Sequence, residues 1–377
     1  MSKAPVAVIH TVGSLTPNSG VTPVISNSLG FRQAAGQQAR CLAFSDHYDA
    51  QCWQGLTGAL RLIERPRLPW QQYARFRDAL IEEVMKQRQL GHRVVLHDHG
   101  MWLPSNLAAS AVARTLNCPI IVSPHGMLQP AAVDYRGTKK KLAWQLMERR
   151  RMRAATQVMV TSAIEEQAVK QLLPDACTVT VPLGFDVPVQ SEAHQPKEKT
   201  VLYLGRVHVL KGIEVMLRAW PQARQAGWRL RVVGPTEATY RRHLLSLVTD
   251  LGIEDSVTLE DPIYGNEKLR VWHTSALFVL ASYTENFGMV VCEALGHGLP
   301  VLTTDKTPWT DIPERECGWI CSPTVPDVAH ALRRAMSTPM PTLQTMGEAG
   351  WSWMKSSFDL PVVARQMNDC YEELGHA

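Results

Sequence analysis

The chain has 377 residues, of which 45% are hydrophobic and 20% are charged, a balance typical of a soluble protein with room for two domains. No run approaches the roughly 20 apolar residues that a membrane-spanning helix requires. The apolar run after Ser2 ends at Ile9 and is too short for a secretion signal. We therefore predict a cytoplasmic protein that is neither secreted nor embedded in a membrane.

Positive charge is concentrated in the first half. Residues 1–189 contain 21 Lys and Arg against 13 Asp and Glu, a net charge of +8, whereas residues 190–377 contain 18 against 22, a net charge of −4. A basic half suits an anionic small molecule or a membrane surface. We find no recognition motif for nucleic acid and do not expect it as a partner.

Short apolar runs alternate with helical patterns through the first half of the chain. Helices are predicted at 73–89 and 106–116. Alternation of buried strands with helices is typical of a parallel sheet covered on both faces. The runs that we predict to be strands are 6–9, 94–96, 120–122, 158–160 and 179–181.

The pattern restarts after a polar stretch that contains proline. We assign residues 1–186 to an N-terminal domain, 187–199 to a linker and 200–356 to a C-terminal domain. The fold class is α/β, with two Rossmann-like, doubly wound parallel-sheet domains that face a central cleft, the usual place for ligands in such proteins. In the second domain we predict strands at 201–204, 230–233, 257–259 and 277–280, and helices at 212–220 and 241–251.

Residues 280–304 carry the strongest chemical signal. A strand ends near Ala281, a polar turn follows, and Gly288 opens a helix. The unsatisfied backbone N–H groups at such a helix start favour a phosphate. Glu285 lies on the turn, and Glu293 lies about two helical turns into the helix. Both carboxylates can accept hydrogen bonds from sugar and ribose hydroxyls, or they can simply favour the helix dipole.

The run from Glu285 to Glu293 reads Glu-Asn-Phe-Gly-Met-Val-Val-Cys-Glu and resembles the E-x7-E segment of retaining GT-B glycosyltransferases of the GT4 family. The run Tyr203-Leu-Gly-Arg206, followed by Lys211-Gly212, resembles the second signature of that family. The resemblance implies that Arg206 and Lys211 hold the donor diphosphate and that Glu285 orients the donor sugar. It also implies donor contacts at Gly205, Asn286, Phe287, Gly288, Met289, Val290 and Glu293.

The N-terminal half resembles the family more loosely. Residues 17–20 resemble the glycine-bearing loop after the first strand, which implies a phosphate contact at Gly20, although Ser19 stands where the family commonly has Gly. The run Ser123-Pro-His125-Gly-Met-Leu resembles a segment whose histidine contacts the donor sugar, which implies that role for His125. In GT-B relatives the C-terminal helix returns to the first domain, so we expect residues from about 357 to 377 to pack there.

The cations of the predicted site can stabilise the leaving group without a metal ion. Breaking a sugar–phosphate bond leaves a diphosphate of growing negative charge, which a metal ion or fixed cations must stabilise. The sequence has no Asp-x-Asp pair to hold a metal, whereas Arg206 offers a forked donor and Lys211 a point charge. We expect no metal and no cofactor. The resemblance implies retention of the anomeric configuration through a short-lived ion pair.

Two histidines invite a different interpretation. His97 and His99 flank Asp98, an arrangement that could serve a metal or acid–base chemistry. We disfavour that interpretation because no third ligand is evident and because we expect the two rings to lie on opposite sides of the extended segment.

Residues 136–153, which we call the basic segment, contain eight Lys and Arg residues with apolar residues between them. One interpretation is a helix that docks on anionic lipid or on the pyrophosphate of an acceptor. The other is a solvated helix whose apolar side packs on the sheet.

These features predict a retaining glycosyltransferase that moves a hexose-type sugar from a UDP- or GDP-sugar. The predicted acceptor is lipid-linked or a growing polysaccharide, as in exopolysaccharide, O-antigen or lipopolysaccharide biosynthesis, either in the cytoplasm or peripherally on the inner face of the cytoplasmic membrane. The alternatives are transfer to a small soluble anionic acceptor and a non-catalytic nucleotide-sugar-binding regulator. A nicotinamide dehydrogenase is disfavoured because residues 8–20 lack G-x-G-x-x-G.

Overall fold

A computed structural model describes residues 4–15, 21–46, 53, 56–130, 137–189 and 198–376 of the chain. The chain divides into two compact units, which are Met1–Gly184 with Leu360–Ala377, and Phe185–Asp359. Each unit contains one sheet in which all the paired strands are parallel, and this confirms the predicted fold class of two parallel-sheet α/β domains. Within the described residues, no helix combines the length and the apolar character needed to cross a bilayer.

In the described part of the first unit, the sheet has seven strands in the order β3-β2-β1-β4-β5-β6-β7. Its strands are β1 Val6–Ser14, β2 Ala39–Phe44, β3 Leu60–Ile63, β4 Arg93–His99, β5 Ile120–Ser123, β6 Gln157–Val160 and β7 Thr178–Thr180. The central strands β1 and β4 pair along seven residues, from Val6 opposite Arg93 to Val12 opposite His99. Almost every residue of these two strands is buried, as expected for a parallel sheet that is covered on both faces.

Successive residues of β1, β4 and β5 point to opposite faces of the sheet. One face carries Ile9, Leu96 and Val122, which pack in a core that includes residues of four helices of this unit. The helices of this unit are α1 Val21–Ala34, α2 Pro69–Gln89, α3 Pro104–Thr115, α4 Gly137–Ala143, α5 Arg149–Arg153, α6 Ala163–Leu172 and α13 Leu360–His376, with a π-helical turn at Trp144–Glu148. The core of this face lies against α2 and α3.

The opposite face of the same sheet is covered by the end of the chain. Val8, Val95 and Ile121 pack against residues of α13, among them Met367 and Tyr371. Helix α13 therefore covers apolar surface of the sheet that would otherwise be exposed to water.

Buried Arg32 of α1 adds polar contacts between α1, β1 and α13. Its guanidinium donates hydrogen bonds to Asn368 Oδ1 and, at 2.6 Å, to the carbonyl of Val6, and it pairs with Glu372 at 3.4 Å. These bonds satisfy a charge that burial would otherwise destabilise. Arg32 therefore ties α13 to both β1 and α1.

Among the residues that the structure describes in the second unit, the sheet has six strands in the order β10-β9-β8-β11-β12-β13. Its strands are β8 Thr200–Leu204, β9 Arg229–Val233, β10 Val257–Glu260, β11 Leu277–Leu280, β12 Val301–Thr304 and β13 Gly318–Cys321. Its helices are α7 Ile213–Ala223, α8 Ala238–Asp250, α9 Gly265–Thr274, α10 Met289–Gly296, α11 Val325–Met336 and α12 Met340–Ser357. The strand order reverses between β8 and β11, so their carboxyl ends form the switch point at which ligands of such sheets bind.

The structure divides the basic segment between core and surface, with Met152 packed in the core of the first unit. Arg151 is buried, and its guanidinium pairs with Asp98 at 2.7 Å and with Glu148 at 2.8 Å. Leu142 and Leu146 are instead exposed, at 61% and 67%. The segment is therefore not one uniformly basic surface, because one of its cations neutralises two buried carboxylates. Residues 131–136 lie outside the described residues, as do the side chains of 137–139.

Candidate functional site

Two turns that contain glycine position the candidate site of the second unit. Gly205 follows β8, and Gly212 precedes α7 with φ of 67°. A Cβ atom on Gly212 would lie 2.0 Å from the carbonyl oxygen of Ala281, so only glycine lets this turn approach the end of β11 so closely. The carbonyl of Leu210 also accepts a hydrogen bond from the backbone N–H of Tyr283 at 2.9 Å. The turns that follow β8 and β11 are therefore held against each other.

This contact brings two predicted site residues together. Lys211 Nζ lies 2.5 Å from Glu285 Oε2, and both side chains are mostly buried, with exposures of 21% and 13%. Ser282 Oγ donates a longer hydrogen bond of 3.4 Å to the same carboxylate oxygen. An ion pair in such a partly dehydrated position fixes the orientation of both groups. Lys211 and Ser282 together therefore fix the position of the Glu285 carboxylate.

The segment that follows Glu285 divides between core and surface. The side chain of Phe287 is buried beside Trp309 and Phe358, and the Trp309 indole donates to the carbonyl of Phe287 at 2.5 Å. Phe287 can therefore contact a ligand only through its backbone. Gly288 has φ of 79° and opens α10, whereas Asn286, Met289 and Val290 keep partly exposed surface. The backbone N–H groups at the start of α10 make this end of the helix suitable for an anion.

Glu293 has a cationic neighbour that the sequence prediction missed. Lys268 Nζ of α9 lies 2.7 Å from Glu293 Oε2, and each side chain is about one-third exposed. No motif in the sequence marks Lys268, because its position depends on how α9 packs beside α10. A carboxylate and an amine placed side by side can accept from and donate to the same hydroxyl-rich ligand.

Arg206 lies at the exposed end of the turn after β8. Its carbonyl accepts a hydrogen bond of 2.7 Å from the hydroxyl of Tyr203, which fixes the backbone of the turn. The pKa of neighbouring His208 is lowered, first by partial burial and then by the positive charges of Arg206 and Lys211. Both cations therefore lie close enough to His208 to influence its charge. A cleft of about 600 Å³ beside them is lined by Arg206, His208 and Tyr240.

His125 lies in the first unit, in a turn of strained geometry. It has φ of 51°, and Gly126 follows with φ of 77°; a non-glycine residue in this left-handed region costs free energy and often marks a functional site. Buried Glu165 holds the turn, because its Oε1 accepts the backbone N–H of Gly126 at 2.5 Å and its Oε2 accepts the N–H and hydroxyl of Thr161. Burial lowers the pKa of His125 to about 4, so the ring is neutral near pH 7.

The expectation that His97 and His99 lie on opposite sides of their strand is wrong. Residues two apart on a strand share a face, and the two rings stack with centroids 4.0 Å apart. Asp98 points to the other face, where it accepts hydrogen bonds from Thr11 and Arg151. A third histidine, His10 of β1, was not predicted to join them, and it lies opposite His97 across the β1–β4 pair.

The predicted site residues thus fall into two groups. The second unit gathers the residues around the ends of β8 and β11, which are Gly205, Arg206, Lys211, Glu285, Asn286, Gly288, Met289, Val290 and Glu293. The first unit places His125 beside His99, with Nε2 of His125 and Nδ1 of His99 2.9 Å apart. Gly20 lies outside the described residues, so its predicted phosphate contact stays a prediction.

Comparison with known families identifies the chain. The family described as glycosyl transferases group 1 matches residues 198–338, and the glycosyl transferase 4-like domain matches residues 19–184. The first match contains every predicted site residue of the second unit, and the second match contains His125. Together the two models account for most of both units.

Curated relatives show the same family at modest identity. The chain is 28% identical over 248 residues to D-inositol 3-phosphate glycosyltransferase of Nocardia farcinica, covering 59% of this chain and 54% of that protein. It is 26% identical over 308 residues to the protein of the same name from Saccharomonospora viridis, covering 75% of this chain and 70% of the relative. The chain spans 54% to 63% of the length of the first four curated relatives that it matches.

Solved structures share the fold over nearly the whole chain. Sucrose-phosphate synthase of Thermosynechococcus elongatus superposes with a TM-score of 0.74 at 20% identity, covering 99% of both chains. Anabaena HepE in complex with UDP and glucose superposes with a TM-score of 0.74 at 17% identity, covering 97% of this chain and 99% of the other. The group 1 match in residues 198–338 and the 4-like match in residues 19–184 together show that the chain belongs to the glycosyltransferases, and the solved structures show that it has the GT-B fold.

Proposed function

We propose that the protein transfers a hexose-type sugar from a UDP- or GDP-sugar to an acceptor hydroxyl. The observation that carries this proposal is the Lys211–Glu285 pair, held at 2.5 Å where the turns after β8 and β11 meet. It combines a cation for the diphosphate with a carboxylate for sugar hydroxyls, beside the N-terminus of α10. Structures of the same fold hold UDP, glucose or UDP-glucose in Anabaena HepE, which supports a nucleotide-sugar donor here.

The geometry supports a division of labour within the proposed donor site. Arg206 and Lys211 would stabilise the charge that develops on the leaving diphosphate, a role that fixed cations can fill in place of a metal. Glu285 would orient the sugar rather than attack it, because its Oε2 is already engaged by Lys211 and Ser282. Glu293 and Lys268 would bind the ribose end of the donor. A reaction that uses no nucleophilic carboxylate fits the proposed retention of configuration.

The proposed acceptor is a lipid-linked or growing polysaccharide intermediate, with the enzyme in the cytoplasm or at the inner face of the cytoplasmic membrane. The positive charge of residues 1–189 and the exposed Leu142 and Leu146 favour an anionic, partly apolar partner. A lipopolysaccharide outer core galactosyltransferase is among the structures of the same fold, with a TM-score of 0.72 at 15% identity.

A small soluble anionic acceptor is the second candidate. It is favoured by the names of the curated relatives, which are D-inositol 3-phosphate glycosyltransferases. The same positive charge would serve a phosphorylated metabolite. A non-catalytic nucleotide-sugar-binding regulator is the third candidate, and it differs from the other two in releasing no nucleotide diphosphate.

A donor screen tests the proposal directly. The melting temperature is measured with UDP, GDP and a panel of their glucose, galactose, mannose and N-acetylhexosamine derivatives. A cognate donor at 100 times its Kd should stabilise the protein by about 2.7 kcal/mol through mass action. Stabilisation by neither nucleotide family would contradict the donor assignment.

Acceptor assays then separate the three candidates. Release of UDP or GDP is followed with lipid-linked saccharide extracts, with a panel of sugar and inositol phosphates, and without acceptor. Turnover that depends on the extract supports the first candidate, and turnover that depends on a phosphorylated metabolite supports the second. Donor binding with no release under any condition would identify a regulator.

A further inference from the structure

Four side chains of the first unit form a continuous row of hydrogen bonds. Ser28 Oγ lies 3.1 Å from His10 Nε2, His10 Nδ1 lies 2.9 Å from His99 Nε2, and His99 Nδ1 lies 2.9 Å from His125 Nε2. Ser28, His10 and His99 are buried, whereas His125 keeps exposed surface. The row therefore runs from the interior of the unit to a histidine that a ligand can reach.

The strand register explains why these residues meet. His10 and His99 lie on the face of the sheet that also carries Val8 and Val95, and this is the face covered by α13. Two parallel strands pair side by side here, with His10 opposite His97 and Val12 opposite His99. His125 comes two residues after β5, the next strand along.

A second branch leads away from the same serine. The hydroxyl of Tyr371 is hydrogen-bonded to Ser28 and lies 2.7 Å from His97 Nδ1, and His97 Nε2 lies 2.8 Å from Ser123 Oγ. Every ring nitrogen of His10, His97 and His99 thus has a partner. No imidazole nitrogen of these three rings is left over to bind a further group.

The same three histidines lie close enough to suggest a metal site, but their geometry favours hydrogen bonds. Two imidazoles bound to one tetrahedral zinc ion at about 2.0–2.1 Å hold their nitrogens about 3.4 Å apart. His10 Nδ1 and His99 Nε2 are 2.9 Å apart, the ordinary length of a hydrogen bond. With centroids 5.2 Å apart and ring planes that differ by 22°, the two rings meet edge to edge.

A row of neutral imidazoles has a defined polarity. Each neutral ring carries one N–H and one lone pair, so a donor at one position forces the direction of every bond along the row. If His125 Nε2 donates to His99, then His99 Nε2 donates to His10, His10 Nε2 donates to Ser28, and Nδ1 of His125 is an acceptor. In the opposite polarity that Nδ1 is a donor. Burial keeps the rings of His10, His99 and His125 neutral by lowering their pKa values.

We propose that His10 and His99 are positioning residues that hold His125 in a single tautomer and orientation. Their row decides whether Nδ1 of His125 offers a hydrogen-bond donor or an acceptor to the ligand. A tautomer fixed in this way would let the site discriminate among sugar hydroxyls without reorganisation when the donor binds. The catalytic consequence rests on the proposed role of His125 as a donor-sugar contact, whereas the tautomer itself does not.

The first arm of the test is spectroscopic and needs no donor. Protein labelled with 15N-histidine should show separate, tautomer-specific shifts for Nδ1 and Nε2 of His125. In His10→Phe and Ser28→Ala, which interrupt the row, these shifts should move toward their tautomeric average. In His330→Gln, a control at an exposed position of α11, they should not move. Averaged His125 shifts in the wild type, or unchanged shifts in both interrupting variants, would overturn the proposal.

The second arm guards against misfolding. His10→Asn keeps a polar atom near the Nδ1 position, so it should retain the tautomer better than His10→Phe. If both His10 variants fail to fold, the Ser28→Ala spectrum decides. Purified protein is also titrated with Zn²⁺, and stoichiometric binding that shifts His10, His97 and His99 together would overturn the hydrogen-bonded arrangement.

The third arm measures the donor. The KM for the nucleotide sugar should rise about fivefold to tenfold in Ser28→Ala and His10→Phe, the size of effect expected from one displaced hydrogen bond, and in His10→Asn it should rise less. The spectra could show that the wild type holds one tautomer and that the variants release it, while KM and kcat stay unchanged. That result would overturn the role of His125 in the proposed function and leave its positioning by the row intact. Binding of no nucleotide sugar at all would instead count against the proposed function.

Discussion

The carboxylate of Glu285 and the ammonium of Lys211 hold each other at 2.5 Å. Preorganised groups of this kind stabilise a transition state without a reorganisation cost. The value of the pair lies in its position, because the two glycine turns that bring it together leave little freedom for either side chain.

Removing these site groups should affect turnover far more than stability. Glu285→Ala and Arg206→Ala should each lower kcat/KM by about 100-fold or more, the usual cost of losing one stabilising donor or orienting group. Initial rates of nucleotide release measure this effect, and thermal unfolding checks that the fold is intact. Arg224→Ala, which removes an exposed ion pair with Asp255, is the matched control. Full activity in Glu285→Ala or Arg206→Ala would contradict the assignment of the site.

Arg151 belongs to the basic segment by sequence but to the core by structure. Its buried pairs with Asp98 and Glu148 mean that Arg151→Met should destabilise the protein by about 3–5 kcal/mol, because two carboxylates lose their cation. Exposed Arg153→Met should change stability by less than about 0.5 kcal/mol. Urea unfolding measures both variants. Equal effects would mean that the buried pairs do not form.

At the scale of elements, β1 and β4 place three histidine side chains in the buried interior of the first unit. The pKa values of His10, His97 and His99 are well below 6.5, first because of burial and then because neighbouring histidines, and Arg32 beside His10, disfavour a further positive charge. An unfolded chain would protonate these rings near pH 6.5, whereas the folded chain does not. The contribution of these neutral rings to the free energy of unfolding is therefore complete above pH 6.5, and it is lost as the pH falls below that value.

Stability should consequently decline steeply on acidification. Each buried histidine contributes a slope of about 1.4 kcal/mol per pH unit below its unfolded pKa. Asp98 acts in the opposite direction, because burial raises its pKa to about 6, but it is one group against several. Urea midpoints at pH 7.5, 6.5 and 5.5 test the expectation, with exposed His330→Gln retaining the wild-type profile. A flat profile between pH 7.5 and 5.5 would contradict it.

Local patterns predicted some elements and missed others for identifiable reasons. The strand at 277–280 and the helix after Gly288 followed from a continuous apolar run and a turn that precedes a helix. The strand β3 was missed because Arg61 interrupts its apolar residues and only Ile63 is buried. The strand β2 was also missed, although all but one of its residues are buried. His10 could not be linked to His97 because pairing of β1 with β4 joins positions 87 residues apart. Lys268 and the burial of Arg151 were missed for the same reason, since packing between distant elements brings them to Glu293 and Asp98.

At the scale of the whole molecule, the first unit is assembled from both ends of the described chain. Met367 of α13 is buried against β1 and β4, so Met367→Ala should destabilise the first unit by about 2–5 kcal/mol through the cavity it leaves. Gln366→Ala, at the exposed neighbouring position, should change stability by less than about 0.5 kcal/mol. Hydrogen exchange resolved by segment measures the effect. Loss of protection confined to the second unit would contradict the packing of α13.

The return of α13 also sets the order in which the protein can mature on the ribosome. Synthesis at about 5–20 residues per second separates residue 184 from the end of α13 by roughly 10 to 40 seconds. During that interval Val8, Val95 and Ile121 lack the cover that α13 provides, while the second unit is complete by residue 359. Chaperones should therefore bind the nascent first unit. Although the first unit is synthesised first, it should become resistant to protease after the second unit does.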